Sequence, residues 1–166
     1  LYTVGVLCAL GLVCVLVVVA VFSAYYYSSV ESDMRYRAKT TTDFFAEYQN
    51  LNYTDYYQSC VTYANTFADK NYIELQFIDA QGDLVASSYG QWSVETVTTE
   101  EIQEAVSTRG ICSFVGTNPQ TDERIMAVSS PLIYKSGEVI GVLRYVTSTR
   151  IMDLQIFYIA LICLSA

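Results

Sequence analysis

Histidine is absent from this sequence, and its 166 residues include only two prolines and one tryptophan. Without histidine there are no ligands for the common zinc and haem sites, and no Ser-His or Cys-His catalytic pair can form. The five cysteines contain no C-x-x-C spacing, so the usual zinc and redox patterns are missing as well. We therefore expect no catalytic residue, no cofactor and no metal site in this chain.

Charge is missing from the N-terminal segment. The first 22 residues, LYTVGVLCALGLVCVLVVVAVF, carry no charged side chain, and a helix of that length would span about 33 Å, enough for the hydrocarbon core of a bilayer. Three tyrosines at 25–27 follow, as in the aromatic belt of a membrane interface. We predict a transmembrane helix over residues 1–22. A cleaved signal peptide is the alternative, although its apolar region is normally shorter.

The C-terminal segment, residues 154–166, is also uncharged and reads LQIFYIALICLSA. It is too short to cross a bilayer by itself. We interpret it as the start of a second transmembrane helix. A buried terminal helix of a soluble fold is the alternative, because a run of this length fits both.

All charged residues lie between Glu31 and Asp153, and nine basic against seventeen acidic side chains give a formal net charge of −8. Cytoplasmic flanks of membrane helices are usually rich in Lys and Arg. We therefore predict a multi-pass protein of the cell membrane, in contact with lipid, whose residues 23–153 form one domain with 31–153 outside the cytoplasm. The acidity argues against nucleic acid as a partner.

Two cysteines, Cys60 and Cys112, lie in this charged section, whereas the other three lie in the apolar ends. Thiols in an outward-facing domain can form a disulfide. The sequence leaves two alternatives open, namely one Cys60–Cys112 disulfide or two buried thiols.

The segment from 23 to 50 contains no glycine or proline. Apolar or small residues recur there at spacings of three and four: Val30, Met34, Ala38, Thr41, Phe45 and Tyr48. This spacing predicts an amphipathic helix that continues from the first span. Because a small sheet has little area to cover so long a helix, we expect a homodimer along Met34, Ala38, Phe45 and Tyr48.

Two shorter helices and five strands are predicted after this long helix. The second helix begins at Thr54 or Asp55 and ends at 70–71, and the third runs from the capping box Thr98-x-x-Glu101 to Gly110. Alternating apolar residues predict a hairpin of strands around the break 80–83, and further strands at 111–116, 124–134 and 139–147. The layout is α+β with one five-stranded antiparallel sheet.

This order of elements carries a resemblance to a known family. The strand pair around Asp79-x-x-Gly82-x-Leu84, the short helix and the run GVLRYVTS at 141–148 just before the second apolar segment are its most telling parts. The chain resembles the extracytoplasmic PAS-like (Cache or PDC) sensor region of bacterial two-component sensor histidine kinases. The resemblance implies that the sheet binds an unidentified small molecule or ion and that the helices pass the signal to a cytoplasmic kinase.

The same resemblance implies that this fragment is not an enzyme, whereas the full-length protein is a histidine protein kinase. Two alternatives remain open. The same sensor module occurs on chemoreceptors and on cyclic-dinucleotide enzymes, and a membrane-tethered structural ectodomain would have no signalling output.

Arg144 is the first candidate for a functional residue. In the last strand it shares a face with Val142 and Val146, and a charge in such an apolar row needs a partner. If the first and last strands are neighbours, as the resemblance implies, Glu74 or Gln76 could be that partner. A ligand carboxylate is the alternative.

The preceding strand carries polar side chains that could add contacts to such a pocket. They are Arg124, Ser129, Ser130 and Tyr134, and ordinary strand positions are the alternative for each. Glu100, Glu101 and Glu104 could gather a divalent cation, but a capping-box helix with a solvated face accounts for them as well.

Overall fold

The computed structural model describes residues 2–47, 52–90 and 96–165. In chain order its elements are α1 (Tyr2–Glu47), α2 (Tyr53–Thr66), β1 (Glu74–Asp79), β2 (Leu84–Ser87), α3 (Glu100–Thr108), β3 (Cys112–Thr117), β4 (Arg124–Ile133), β5 (Val139–Ser148) and α4 (Thr149–Ser165). These elements form two compact units. Glu31–Ser148 make up one, and the residues up to Val30 together with those from Thr149 onward make up the other.

The five strands form one antiparallel sheet in the order β2-β1-β5-β4-β3. The α+β class and the five-stranded sheet predicted from the sequence are confirmed. The first and last strands, β1 and β5, are neighbours, and their register places Gln76 opposite Arg144. On the other side of β5, Ser129 of β4 is opposite the same arginine. Side chains from three strands therefore meet at one point of the sheet.

Helices cover both faces of the sheet. On one face, which we call the α1 face, Thr41 of α1 shares a hydrogen bond of 2.9 Å with Tyr145 of β5, and Phe45 stacks edge-on against Phe77 of β1. α2 packs on the same face, where its Tyr63 also contacts Phe77. The opposite face, the α3 face, is covered by α3. Alternation along each strand decides which of the two faces a side chain joins.

The stripe predicted on the first long helix is confirmed, but its role differs from the prediction. Met34, Ala38, Thr41 and Phe45 are all buried, because they pack on the chain's own sheet. The expected homodimer along this stripe is therefore wrong for these residues, while Tyr48 lies outside the described part of the chain. A dimer through α1 would have to use its exposed side, which includes Tyr36.

α2 begins and ends earlier than the sequence suggested. Its N-cap is Asn52, whose side chain accepts a hydrogen bond of 2.9 Å from the backbone N–H of Asp55, rather than Thr54 or Asp55. The helix stops at Thr66 because Phe67 adopts an extended backbone with ψ of 122°. Residues 68–72 form turns.

Among the described helices, α1 is the one long and apolar enough to cross a membrane. The residues of its apolar window are not buried in the chain. α4 is apolar as well but has 17 residues, slightly fewer than the roughly 20 that a membrane-spanning helix needs.

Gly141 of β5 provides a test of the β1–β5 pairing. A Cβ atom at this position would lie 2.5 Å from the backbone oxygen of Ile78, and a backbone atom within a sheet cannot move away easily. We expect Gly141→Ala to lower the free energy of unfolding by about 1 to 3 kcal/mol, measured by chemical denaturation of the membrane-reconstituted chain. Gly116→Ala is the control, because there the Cβ meets the movable ring tip of Phe114. Equal losses for both variants would contradict this account.

Candidate functional site

Arg144 is the centre of a buried polar cluster on the α3 face. Its side chain is 1% exposed, although it lies in an apolar row of β5. Its Nε donates to Glu101 Oε1 at 2.8 Å, Nη1 donates to Gln76 Oε1 at 2.9 Å, and Nη2 donates to Thr99 Oγ1 at 2.9 Å. The guanidinium thus joins β5 to β1 and to the start of α3.

Glu101 is the acidic partner, and the sequence prediction placed it wrongly. It was expected in a capping box on a solvated helix face, but its side chain is fully buried and forms an ion pair with Arg144. The N-cap of α3 is Thr99, whose side chain makes no capping hydrogen bond. Instead, its hydroxyl donates to Glu101 Oε1 at 2.9 Å and accepts from Arg144. The first turn of α3 is therefore fastened to β5 by one charge pair and one shared hydroxyl.

The sequence did contain a signal for this pair. Glu101 lies beside Ile102 and four residues before Ala105, and all three are buried. A carboxylate at that position interrupts an apolar helix stripe, just as Arg144 interrupts an apolar strand row. Two opposite charges in apolar rows are natural partners.

Hydrogen bonds extend the cluster towards the sheet edge. Gln76 Nε2 donates to Glu74 Oε1 at 2.9 Å, and Ser87 Oγ of β2 donates to the same oxygen at 2.6 Å. Of the two partners predicted for Arg144, Gln76 contacts it directly and Glu74 is reached only through Gln76. A chain of polar contacts thus runs from β5 across β1 to β2.

Two buried polar atoms beside Arg144 have no hydrogen-bond partner among the described residues. They are Oε2 of Glu101 and Oγ of Ser129. Buried polar atoms are rarely left unsatisfied, so each of these two atoms has unused hydrogen-bonding capacity. The site can therefore accept a donor at the carboxylate and either a donor or an acceptor at the hydroxyl.

The structure does not bring all the predicted site residues together. Arg124 opens β4 and Tyr134 follows its last residue, so they lie roughly 30 Å apart at about 3.3 Å per residue. Both are exposed. Ser130 faces the α1 side, where its Oγ lies 2.8 Å from Oγ1 of Thr42. Arg144, Gln76, Glu74 and Ser129 are the predicted residues that gather in one cluster.

The two cysteines of the charged section lie on opposite faces of the sheet. Cys60 of α2 is buried on the α1 face, and burial raises the pKa of its thiol to about 12. Cys112 of β3 is opposite Ser129 on the α3 face, with its Sγ 3.7 Å from Thr108 Oγ1. Both are free thiols, so the structure does not form the disulfide considered from the sequence.

The acidic residues of α3 do not present three carboxylates to solvent. Glu100 and Glu104 are exposed, whereas Glu101 is directed inward to Arg144. A cation held by all three would require the buried pair to open.

A separate pocket of ≈ 460 Å³ lies on the α1 face, at the end of β4. Side chains from α1, the first turn of α2 and the ends of β4 and β5 line it, among them Thr42, Ala46, Tyr53, Tyr56, Leu132 and Ile140. The lining is largely apolar. Of the side chains predicted to add contacts to a ligand pocket, Ser130 and Tyr134 line this one, whereas Arg144, Gln76, Glu74 and Ser129 do not.

No protein-family model and no curated protein matches this sequence, but solved structures do. The ligand-binding domain of the Pseudomonas aeruginosa PAO1 amino acid chemoreceptor PctC, in complex with GABA, is 14% identical, with 83% of this chain and 64% of that chain aligned and a TM-score of 0.59. The Vibrio cholerae histidine kinase DctB sensor domain is 13% identical over 76% of this chain and 52% of its own, with a TM-score of 0.56.

The ligand-binding domain of the Campylobacter jejuni chemoreceptor Tlp3, in complex with 4-methylisoleucine, is 14% identical over 80% of this chain and 56% of its own, with a TM-score of 0.55. This chain shares the fold of these sensor domains. The PAS-like resemblance predicted from the sequence is thereby confirmed at the level of the fold. The chain spans about half to two-thirds of the length of the structures it matches.

The Arg144–Glu101 pair predicts an asymmetric response to substitution. Arg144→Met leaves Glu101 as a buried unpaired carboxylate, and we expect a loss of about 3 to 5 kcal/mol in the free energy of unfolding. The double variant Arg144→Met, Glu101→Leu removes both charges and keeps most of the volume, so it should recover most of that loss. Chemical denaturation of the four members of the mutant cycle measures both effects.

Arg37→Ala is the control for this cycle. Arg37 forms ion pairs with Asp33 and Asp69 that are one-third to one-half exposed, so its loss should cost less than about 1 kcal/mol. Independent, additive effects of the Arg144 and Glu101 substitutions would show that the two charges do not stabilise each other.

Proposed function

We propose that this chain is the extracytoplasmic signal-sensing region of a membrane sensor histidine kinase. In this proposal residues 1–22 are the first transmembrane helix, 23–153 the sensor domain and 154–166 the start of the second transmembrane helix. The observation that carries it is the sensor-domain fold, shared with a histidine kinase sensor domain, together with a first helix long and apolar enough to span a membrane. The ligand-binding nature of these neighbours supports a fragment without enzymatic activity.

A chemoreceptor is the second candidate, because two of the structures with this fold come from chemoreceptors. Both candidates use the fold for the same task, which is to convert ligand binding into a movement of helices. They differ in the cytoplasmic output domain. A histidine-bearing dimerisation helix in the full-length protein would identify the kinase, and a methylated coiled coil would identify the chemoreceptor.

β5 is the element through which a signal would pass. Arg144 holds α3 on one face, while the adjacent Tyr145 is hydrogen-bonded to Thr41 of α1 on the other. A ligand that displaces α3 would therefore act on α1 through two consecutive residues of one strand. β5 also passes directly into α4, without a linker, between Ser148 and Thr149.

We place the signal ligand on the α3 face, beside Arg144, Gln76, Glu74 and Ser129. The unsatisfied Oε2 of Glu101 suits an ammonium group, and the N–H groups of Arg144 suit a carboxylate. A small amino acid carries both groups, and GABA and 4-methylisoleucine are the molecules bound in two of the similar structures. An amino acid or a related zwitterion is therefore the ligand class that we propose.

The proposed membrane topology can be tested with reporter insertions. Asn118 lies in the turn between β3 and β4, so an inserted reporter there should not disturb the sheet. We expect a reporter that is active only outside the cytoplasm to be active at this position, whereas a reporter active only in the cytoplasm should be silent. The opposite pattern would place the sheet in the cytoplasm and would overturn the sensor proposal.

The proposed ligand site can be tested by substituting two neighbouring serines, Ser129 and Ser130, one at a time. Ser129→Ala removes a hydroxyl that has no partner among the described residues, so we expect nearly unchanged stability without ligand but a smaller rise in melting temperature with ligand. A panel of GABA, isoleucine, norvaline and small dicarboxylates provides the probes, added to the full chain in lipid nanodiscs.

Ser130→Ala is the matched control on the opposite face. It breaks the hydrogen bond to Thr42 and should lower stability by about 1 kcal/mol, while the response to ligand stays as in the wild type. If no member of the panel stabilises the wild type, or if Ser130→Ala rather than Ser129→Ala loses the response, the ligand site on the α3 face is wrong.

A further inference from the structure

The pocket on the α1 face has the size and lining of a ligand site, and it is separated from the Arg144 cluster by the sheet. Its volume of ≈ 460 Å³ lies within the range of about 300 to 1,000 Å³ that is typical of small-molecule sites. Tyr53 and Tyr56 provide aromatic walls, and Leu132 and Ile140 provide aliphatic surface. Such a lining favours a ligand with an apolar, flat body.

The charged groups at the pocket favour an anion. Two cations, Lys39 and Arg109, and one carboxylate, Asp43, line it. Lys39 Nζ lies 2.6 Å from Asp43 Oδ2, so this pair is neutral as a whole. Arg109 makes no hydrogen bond or ion pair with the residues that the structure describes. The pocket thus carries one uncompensated positive charge in a chain whose formal net charge is −8.

The backbone holds Arg109 at this position. It is the C-cap of α3, in the left-handed conformation with φ of 54°, which is uncommon for a residue with a side chain. Its Nη1 lies 3.9 Å from the point that a Cβ on Gly137 would occupy, so the guanidinium extends over the turn between β4 and β5. An arginine fixed at one end, with a free planar fork, is suited to bind a carboxylate through two hydrogen bonds.

We propose that this pocket binds a small organic monocarboxylate with an apolar, preferably aromatic, body. The body lies between the two tyrosines and the aliphatic side chains, and the carboxylate is bound by Arg109. The occupied site contacts α1 through Thr42 and Ala46 and the sheet through Leu132. Binding therefore stabilises the packing of α1 on the sheet, and this site does not depend on the proposed signalling role or on the amino acid site.

The test uses 3-phenylpropionate as the probe and the full chain in lipid nanodiscs, with titration calorimetry against empty nanodiscs. We expect saturable binding of 3-phenylpropionate to the wild type and weaker binding of the uncharged analogue 3-phenylpropan-1-ol. Arg109→Gln should weaken binding of the carboxylate roughly tenfold or more, because a charge-assisted hydrogen bond is lost. The same variant should leave binding of the alcohol unchanged.

Three further variants separate this pocket from other sites. Ala46→Trp fills the pocket from the exposed side of α1 and should abolish binding, whereas Thr40→Trp, exposed on α1 but outside the lining, should bind as the wild type. Lys70→Gln matches the charge change of Arg109→Gln away from the pocket and should have no effect. Absence of saturable binding by the wild type, or unchanged binding by both Arg109→Gln and Ala46→Trp, would overturn the proposal.

Discussion

The ion pair between Arg144 and Glu101 is the interaction that joins the first turn of α3 to the sheet. α3 has nine residues, too few for a helix to be stable alone in water. Its inward side offers Ile102 and Ala105 to the sheet, and the remaining contacts at its first turn are those of Glu101 and Thr99 with Arg144. Because the desolvation of two charges is recovered only when both are paired, the first turn of α3 is held to one β5 side chain.

The opposite face of β5 is joined to α1 by neutral groups. Burial raises the pKa of the Tyr145 phenol to about 12, so its hydroxyl remains protonated at every ordinary pH and keeps its bond to Thr41.

Charged groups of α1 hold it to β3. Arg35 donates to the carbonyl of Ile111 and to Ser113, and Glu31 accepts from Ser113. The Ser113 hydrogen bond is the largest factor that lowers the pKa of Glu31. Its stabilising effect is therefore complete above the usual carboxylate pKa and is lost as the pH falls from there through the lowered pKa. α1 is thus held to β5 and to β3 by contacts that persist at neutral pH.

Local periodicity predicted most of the fold because each strand and helix buries one face. The stripe containing Met34 and Phe45 and the apolar row containing Arg144 were visible for this reason. The partner of Arg144 was not, since Thr98-x-x-Glu101 satisfies a capping motif and the pair is separated by 43 positions in the sequence. The two alternatives for Cys60 and Cys112 stayed open for a related reason, because the spacing of residues in the sequence does not tell which face of the sheet each thiol joins. Tertiary packing also decides which surface covers the apolar stripe of α1. In this chain its own sheet covers that stripe, so the stripe is not available to a second copy.

The buried pair also limits the chemistry of any ligand that acts on α3. A ligand shifts a conformation only by binding one state more tightly than the other, and an unpaired charge at this site would cost about 3 to 5 kcal/mol. A simple carboxylate that replaced Glu101 at Arg144 would leave the Glu101 carboxylate buried without a cation. A zwitterion avoids this cost, because its carboxylate compensates Arg144 while its ammonium compensates Glu101. The closed pair therefore selects against simple anions on the α3 face. Arg109 at the α1-face pocket has no partner among the residues that the structure describes, so it imposes no such condition.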